Sequence, residues 1–318
     1  MIEAKHLRKH FGKTLAVDDI SFKVERGEVL GFLGPNAAGK STTMRMLTGF
    51  LTPTSGTAVV GGEDIVRSSL AARKKLGYLP ENAPVYPDMT VTGFLDFVAE
   101  IRGLTGATRK KRVAEIIEQC FLSEVRFQTI NTLSKGFKQR VCFAQSIIHD
   151  PEYLIMDEPT DGLDPNQKHE VRAMIRQMAR AKTIILSTHI LEEVEAVCSR
   201  AIIIAHGKIL ADDTPAGLRR RSPLHGSVCF TVETAQKELT LQRLQEASAI
   251  KMVQVLNEEE KMLQARVYPQ DAALPVVDLV AEIITGTGGK LQSFRVEEGR
   301  LDEVFRLITQ EASGEERK

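Results

Sequence analysis

The sequence predicts an α/β fold with a mostly parallel sheet, joined to a small α+β domain. Short apolar runs alternate with segments of helical spacing from residue 29 to residue 205, which is the pattern of parallel strands linked by helices. A glycine-rich loop follows the first apolar run and precedes a helical segment. The pattern of predicted strands and helices changes after Arg219–Pro223, so we place a domain boundary between residues 222 and 223.

The first elements are predicted to be strands. Leu15–Val24 alternates in part and ends in the turn Glu25–Glu28. Val29–Leu33 is a short apolar run of the kind found in buried strands. Helical spacing then extends from Ser41 to Leu47, so the glycine-rich loop is expected between a strand and a helix.

The middle of the chain is predicted to be helical. From Thr90 to about Leu122 the apolar residues have helical spacing, with Thr108 as the expected cap of a second helix. We expect residues 86–150 to form a helical subdomain. Strands return at Tyr153–Met156, Thr183–Ser187 and Ala201–Ala205, separated by helices, and this alternation predicts the parallel sheet.

Residues 223–311 predict a small accessory α+β domain, and residues 312–318 a frayed tail. The expected strands are Ser227–Glu233, Ile250–Leu256, Met262–Tyr268 and Lys290–Val296. The expected helices are Ala235–Ala247, Ala272–Ile284 and Arg300–Thr309. No metal-ligand cluster, nucleophile constellation or phosphate loop occurs in this part of the sequence, so we expect a supporting or regulatory role for it.

Composition limits the class of protein. Of 318 residues, 42% are hydrophobic and 26% charged, with a formal net charge of +0, as in soluble globular proteins. No apolar run approaches the roughly 18 residues that span a bilayer, and the first residues lack the apolar core of a signal peptide. The weak charge asymmetry gives no basis for nucleic-acid binding. We therefore expect a cytoplasmic protein that needs a partner to act across a membrane.

The four cysteines are widely spaced and form no Cys-x-x-Cys pair. Such spacing argues against a zinc site and against a disulfide framework. Each cysteine also lies in an apolar stretch, which predicts buried, reduced thiols. The residues concerned are Cys120, Cys142, Cys198 and Cys229.

Residues Gly34–Ser41 match the phosphate-loop pattern G-x-x-x-x-G-K-[ST] in full. Glycines allow the backbone amides to curl around phosphate oxygens, and the following helix directs its positive dipole end at them. Lys40 is placed to reach the β- and γ-phosphates, and the Ser41 hydroxyl to ligate Mg²⁺. The loop therefore predicts a P-loop NTPase core that binds ATP with Mg²⁺.

Two acidic residues follow an apolar strand. Asp157 and Glu158 come directly after Leu154–Met156, and the carboxyl ends of strands are where ligands bind in open α/β sheets. Asp157 is the expected partner of Mg²⁺. Glu158 is placed to act as general base on the attacking water. Together with the phosphate loop, these acids predict hydrolysis of the nucleotide.

A third set of motifs resembles the nucleotide-binding subunits of ABC transporters. Leu133–Gln139 is similar to their signature motif, Gly162–Asp164 to their D-loop, and His189 to their switch histidine. Phe11, followed by Ala16-Val17, resembles the aromatic residue that stacks on adenine. The resemblance extends over residues 1–222. It implies an ATPase whose helical subdomain, near Tyr86–Arg102, docks a transmembrane permease at the cytoplasmic face of the membrane.

The resemblance further implies a head-to-tail dimer, in which each ATP is bound by both subunits. In the subunit that holds the phosphates it implies these ATP-binding residues: Phe11, Val17, Gly34, Pro35, Asn36, Ala37, Ala38, Gly39, Lys40, Ser41 and Thr42. From the second subunit it implies Leu133, Ser134, Lys135, Gly136, Gln139 and Asp164. Glu158 and His189 are the implied catalytic residues. Ser41, Glu81 and Asp157 are the implied metal ligands.

The sequence departs from the family pattern at three places. Ala37 stands where glycine is usual, which is tolerated at negative φ but costs about 1 kcal/mol or more at positive φ. Lys135 and Phe137–Lys138 replace smaller signature residues. Glu81 stands where the family has the glutamine that contacts Mg²⁺ and the water; since a carboxylate also ligates metal, we expect activity to survive.

These variants, together with a C-terminal pattern Gly299–Phe305, resemble the ABC-2-type exporter ATPases of drug, polysaccharide, gliding-motility or copper-processing systems. Other ABC ATPases remain as alternatives. DNA-repair and chromosome-structuring ATPases carry long coiled coils, but no heptad insertion lies between Ser41 and Leu133. Translation-factor types have two phosphate loops, and this sequence has one. An inactive regulatory subunit is disfavoured because Lys40, Asp157, Glu158 and His189 are all present.

Overall fold

A computed structural model describes residues 1–82, 84–271 and 276–313 of the chain. The chain forms two compact units. One contains Met1–Pro215 and, at the C-terminal end of the described part, residues 308–313; the other contains Ala216–Leu307. This division lies upstream of the predicted boundary at residue 222, which stays a prediction.

The first unit contains ten strands and seven complete helices within its described residues. The strands are β1 (Ile2–Phe11), β2 (Thr14–Val24), β3 (Val29–Leu33), β4 (Ser55–Val60), β5 (Glu63–Asp64), β6 (Leu76–Leu79), β7 (Tyr153–Asp157), β8 (Thr183–Thr188), β9 (Arg200–Ala205) and β10 (Lys208–Asp213). The helices are α1 (Lys40–Leu47), α2 (Ser69–Lys74), α3 (Val91–Ile101), α4 (Gly106–Gln119), α5 (Lys135–Ile147), α6 (Pro165–Ala179) and α7 (Leu191–Val197). A short helix, α8 (Pro215–Arg219), spans the division.

A six-stranded sheet forms the centre of this unit, in the order β10-β9-β3-β8-β7-β6. All neighbours are parallel except β10, which pairs antiparallel with β9. Every residue of β3, β7 and β8 is buried, as expected for strands covered on both faces. The predicted α/β core with a mostly parallel sheet is therefore confirmed.

A second, antiparallel sheet has the order β2-β1-β4-β5. Its buried residues join the core of the parallel sheet, where the Phe22 and Phe32 rings meet edge-on with centroids 5.0 Å apart. This sheet places the loop between β1 and β2, which begins at Phe11, near the phosphate loop.

The helical segment contains α3, α4 and α5, with two single 3-10 turns before α5. Thr90 caps α3, because its side chain accepts a hydrogen bond from the Gly93 amide. The prediction that Thr108 caps the second helix is wrong, since α4 begins at Gly106 and Thr108 lies within it. Gly106 has a φ of 56°, a conformation open to glycine, and the helix starts there.

In the described residues of the second unit, four strands and two helices lie wholly inside it. The elements are β11 (Val228–Glu233), α9 (Lys237–Glu246), β12 (Ile250–Glu258), β13 (Met262–Pro269), α10 (Val277–Gly286) and β14 (Lys290–Val296), followed by α11 (Leu301–Ser313), which crosses the division. The antiparallel sheet has the order β12-β13-β11-β14, and α9 and α10 contribute Leu244, Val280 and Ile284 to its core. This β-α-β-β-α-β arrangement has the topology of ferredoxin-like folds.

Parts of two predictions lie outside the described residues. Helix α10 starts at Val277, whereas the predicted helix began at Ala272, and residues 272–275 are not described. Of the predicted tail, residues 314–318 are also outside the described part. Among the described helices, none combines the length and apolar character needed to cross a membrane.

The cysteines are all free thiols. Burial raises the pKa of Cys120, Cys142 and Cys198 to about 12, so these thiols stay protonated. Cys229 is only half-buried, against the prediction of full burial, because the neighbouring β11 residues Val228 and Phe230 face the core instead.

Candidate active site

The phosphate loop joins β3 to α1. Its first residue, Gly34, passes so close to β9 that a Cβ there would overlap the Ile204 carbonyl oxygen. Gly39 ends the loop with a φ of 105°, and α1 begins at Lys40. The free amides and the positive dipole end of α1 therefore lie at the loop, as an anion site requires. Lys40 Nζ donates to the carbonyl oxygens of Gly34, at 2.7 Å, and Pro35, at 3.2 Å.

A cavity of about 520 Å³ opens over this loop. Phe11, whose surface is half exposed, lies among its lining residues. The loop and helix residues on its wall are Pro35, Asn36, Ala37, Ala38, Gly39, Lys40, Ser41 and Thr42, and two acids, Glu81 and Glu158, complete it. The aromatic ring, the loop and the acids thus surround a space with room for a nucleotide.

Thr14, Leu15 and Ala16 also line the cavity. Ala16 belongs to the Ala16-Val17 pair of the sequence resemblance, whereas Thr14 and Leu15 were not predicted, and their only signal was their position between Phe11 and Val17. Val17 itself is fully buried and lies behind the loop, near Gly39, rather than on the cavity wall.

Ala37 adopts a left-handed conformation, with a φ of 62°. The condition under which alanine would be tolerated, a negative φ, is not met. For an L-residue with a Cβ, the left-handed region costs roughly 1–2 kcal/mol. The loop therefore carries strain at the position where the family usually has glycine.

Three strand ends bring the remaining groups together. β3, β8 and β7 are adjacent and parallel, with Leu33 opposite Thr188 and Ser187 opposite Asp157. The residues that follow these strands therefore lie at one edge of the sheet. They include the phosphate loop, His189 and Glu158.

Asp157 is fully buried at the end of β7. Its Oδ1 accepts hydrogen bonds from the hydroxyls of Ser41, at 3.1 Å, and Ser187. Its Oδ2 is buried and has no hydrogen-bond partner. A buried carboxylate oxygen left without a partner is costly, and it lies beside the phosphate-loop serine. This donor set fits a Mg²⁺ ion, which prefers oxygen ligands.

The protein offers few ligands of its own to a metal. Within the described residues, no group of three or more His, Cys, Asp or Glu side chains is placed to hold an ion. Mg²⁺ binds in such sites through one or two protein groups, with phosphate oxygens and waters as the other ligands. Ser41 and Asp157 match that description, and Glu81 is exposed on the cavity wall.

Glu158 is held between a cation and an imidazole. Its Oε2 lies 3.0 Å from His189 Nδ1, and its Oε1 lies 3.9 Å from Lys40 Nζ. The backbone has a φ of 52°, and the amide donates to the carbonyl and the hydroxyl oxygens of Ser187. A non-glycine residue held in the left-handed region is a feature of functional sites.

Burial shifts the pKa values of both Lys40 and Glu158. It raises the pKa of Glu158 above its usual value, against the opposing effects of His189 and Lys40. It lowers the pKa of Lys40, while the carboxylates of Glu158, Asp157 and Glu81 oppose that change. A carboxylate with a raised pKa is a stronger base, which suits proton abstraction from water.

The signature residues lie away from this cavity. None of the described residues that line it belongs to Leu133–Gln139. Leu133, Gly136 and Gln139 are buried. Their predicted role toward a nucleotide on a second subunit stays a prediction.

Several signature and D-loop residues have partners within their own chain. Ser134 caps α5 by accepting from the Phe137 amide, and Asp164 caps α6 by accepting from the Gln167 amide. Lys135 Nζ pairs with Asp161 at 2.8 Å. Ser134 therefore has a structural role in its own chain, because a helix N-terminus leaves amides that a side chain can satisfy.

Comparisons with known proteins agree with this geometry. Residues 17–161 match the ABC transporter family. The linearmycin resistance ATP-binding protein LnrL of Bacillus subtilis (strain 168) is 35% identical over 97% of this chain and 98% of its own length. The probable multidrug ABC transporter ATP-binding protein YbhF of Escherichia coli (strain K12) is 40% identical over 70% of this chain. The chain spans only 38% of YbhF.

Solved structures extend the comparison to the fold. The structure of an ATP-binding subunit of an ABC transporter is 31% identical, with a TM-score of 0.64 over 70% of this chain and 92% of that one. The ATP-binding cassette MJ0796, bound to ADP and Pi, has the same fold at 21% identity, with a TM-score of 0.63 over 68% and 99% of the two chains. The full-length match to LnrL and the architecture of the first unit lead to one conclusion: the chain belongs to the ABC transporter family of ATP-binding proteins.

Proposed function

We propose that this chain is the ATP-hydrolysing subunit of an ABC exporter, most similar to the ABC-2 type. The observation that carries the proposal is the convergence of Lys40, Glu158 and His189 at one edge of the sheet. A phosphate-binding cation, a base with a raised pKa and a group that holds this base are the parts that nucleotide hydrolysis requires.

The proposed reaction uses each of these groups. The amides of the loop and Lys40 bind the β- and γ-phosphates of ATP, while Phe11 stacks on the adenine. Glu158 accepts a proton from a water molecule as the water oxygen bonds to the γ-phosphorus and the bond to the ADP oxygen breaks. His189 holds the Glu158 carboxylate in place for this step. The products are ADP and inorganic phosphate.

The metal has a supporting part in this proposal. Ser41 and Asp157 would hold Mg²⁺, and Glu81 would add a further carboxylate. Such an ion would supply positive charge that offsets the charge of the phosphates. The buried Oδ2 of Asp157, which has no hydrogen-bond partner, supports this assignment.

The proposal includes a second ATP-binding subunit. Among the described residues, no signature residue of the same chain lines the cavity over the phosphate loop. Ser134 and Gly136 stand at the N-terminal end of α5, where amides and the helix dipole favour an anion. A head-to-tail homodimer brings these residues to the nucleotide of the partner, and ATP binding shifts the population toward this closed form.

The proposal that the chain drives export through a permease is based on the names of its relatives. LnrL is named for linearmycin resistance, YbhF for probable multidrug transport, and a 39% identical protein of Ralstonia nicotianae for Nod factor export. We propose that this chain likewise acts at the cytoplasmic face of a membrane, bound to a separate permease subunit. Co-purification of a multi-spanning protein with the native chain tests this part, and recovery of the chain alone would contradict it.

The Glu158→Gln variant tests the hydrolytic part. It keeps the size and the hydrogen-bonding ability of the side chain but cannot take a proton. We expect ATP binding to persist, with turnover reduced about 10²- to 10⁴-fold. Glu152→Gln is the matched control, because Glu152 is exposed just before the same strand. Hydrolysis by Glu158→Gln at the native rate would contradict the assignment of the base.

A further inference from the structure

We propose that Glu193 is a positioning residue for His189, acting through the hydroxyl of Thr188. This inference rests on the proposed function, since it concerns how the histidine is kept beside the base Glu158. It assigns a role in turnover to a buried carboxylate that touches neither the cavity nor the nucleotide site.

Glu193 lies in α7 and is 2% exposed. Its Oε2 accepts a hydrogen bond from the Thr188 hydroxyl at 2.7 Å. The same hydroxyl oxygen accepts a hydrogen bond from the Ile190 amide at 3.0 Å. A threonine hydroxyl has one proton and two acceptor positions, so giving the proton to the carboxylate fixes the direction of the oxygen lone pairs. Glu193 thereby orients the acceptor that the Ile190 amide uses.

This hydrogen-bonded turn encloses His189, which lies between Thr188 and Ile190. The imidazole side chain is 53% exposed, and its Nδ1 lies 3.0 Å from Glu158 Oε2. Little packing therefore holds the ring, and its position depends on the backbone on either side. A hydrogen bond from residue 190 back to residue 188 restrains that backbone.

A cation on a neighbouring helix faces the same carboxylate. Arg172 Nη2 lies 3.8 Å from Glu193 Oε1, beyond hydrogen-bond distance. Burial raises the pKa of Glu193, and the Thr188 hydroxyl and the Arg172 charge oppose that rise. Arg172 therefore favours the ionised form of Glu193, which accepts and does not donate.

Arg172 also connects the histidine segment to another part of the site. It belongs to α6, the helix that Asp164 caps at its start. Under the proposed dimer, Asp164 faces the second subunit. The contact between Arg172, in the middle of α6, and Glu193 thus joins the helix that Asp164 caps to the turn that carries His189.

A purely structural role is the alternative. A buried carboxylate near an arginine contributes to folding whether or not it affects a reaction, and removing it leaves the arginine unpaired. The two roles differ in what they predict for the folded protein. A positioning role lowers kcat while nucleotide affinity stays, whereas a structural role lowers the melting temperature and leaves kcat per folded molecule unchanged.

The test compares kcat, KM for ATP and melting temperature in the full chain. For Glu193→Ala we expect kcat to fall about 10- to 100-fold, with KM within about threefold of the native value, as for other displacements of a catalytic group. Thr188→Val removes the hydroxyl through which Glu193 acts, and we expect the same fall in kcat as for Glu193→Ala. Glu193→Gln, whose amide oxygen still accepts from Thr188, is expected to recover most of the lost rate. Glu192→Ala is the control, since Glu192 is adjacent and exposed.

A double substitution separates the roles further. In a His189→Ala background, Glu193→Ala is expected to cause no additional loss of kcat, because residues that act through one group are not additive. Independent losses would overturn the proposal, as would native kcat in Glu193→Ala or in Thr188→Val. If Glu193→Ala does not fold, Thr188→Val carries the test. A native chain that does not hydrolyse ATP would instead overturn the proposed function itself.

Discussion

Replacing Ala37 with glycine tests the strain in the phosphate loop. Ala37 has a φ of 62°, and an alanine in this region costs roughly 1–2 kcal/mol relative to a residue without a Cβ. Glycine loses more conformational freedom on folding, which offsets about 0.4–1 kcal/mol of that gain. The expected net effect of Ala37→Gly is a rise of about 0.5–1 kcal/mol in the free energy of unfolding. Ala37 is exposed, so the substitution removes little packing.

The neighbouring residue supplies the control. Ala38 is buried, 3% exposed, and is absent from the residues with positive φ, so Ala38→Gly should lower stability by about 0.5–1 kcal/mol. Urea denaturation of both variants measures the two changes, with ATP binding followed by a fluorescent nucleotide analogue. We predict that the two substitutions change the free energy of unfolding in opposite directions. A loss of stability in Ala37→Gly equal to that in Ala38→Gly would refute the strain argument.

Three further predictions concern the nucleotide site. Lys40→Ala should weaken ATP binding at least about tenfold, because charge-assisted bonds to phosphate are lost, and titration with the fluorescent analogue measures it; unchanged affinity would contradict the phosphate role. Turnover should fall as pH decreases through the raised pKa of Glu158, since the base acts when deprotonated. A pH–rate profile in which turnover falls only at the pKa of an ordinary glutamate would contradict this prediction. Glu81→Gln should leave Mg²⁺-dependent turnover in place, and a native chain that is inactive until Glu81 becomes glutamine would contradict this.

The local parts of the site were predictable because they are short and continuous in sequence. The loop Gly34–Ser41 and the acids Asp157 and Glu158 each follow an apolar strand, and strand ends are identified by composition alone. The distances between them were not predictable. The 3.9 Å distance between Lys40 Nζ and Glu158 Oε1 depends on the strand order, in which only β8 lies between β3 and β7. Strand order in turn depends on long-range packing.

The sign of the Ala37 φ angle and the role of Glu193 could not be predicted from the sequence either. Alanine is compatible with both signs of φ, at different energies, so Ala37 could not be assigned from its identity. Glu193 occupies a helical stretch rich in acids, Glu192–Glu195, where most glutamates are solvent-exposed. Its burial depends on the packing of α7 beside β3 and β8, which only the folded chain defines.

The two hydrogen bonds from Lys40 to the loop carbonyls affect how nucleotide binds. The ammonium group satisfies the carbonyl oxygens of Gly34 and Pro35, and these bonds support the curvature of the loop. Binding of ATP is then an exchange of partners for the lysine rather than a simple addition. The affinity reflects the difference between phosphate and carbonyl as acceptors, and little ordering of the loop remains to be done. A preorganised loop of this kind favours rapid capture, with most variation in affinity expressed in the rate of nucleotide release.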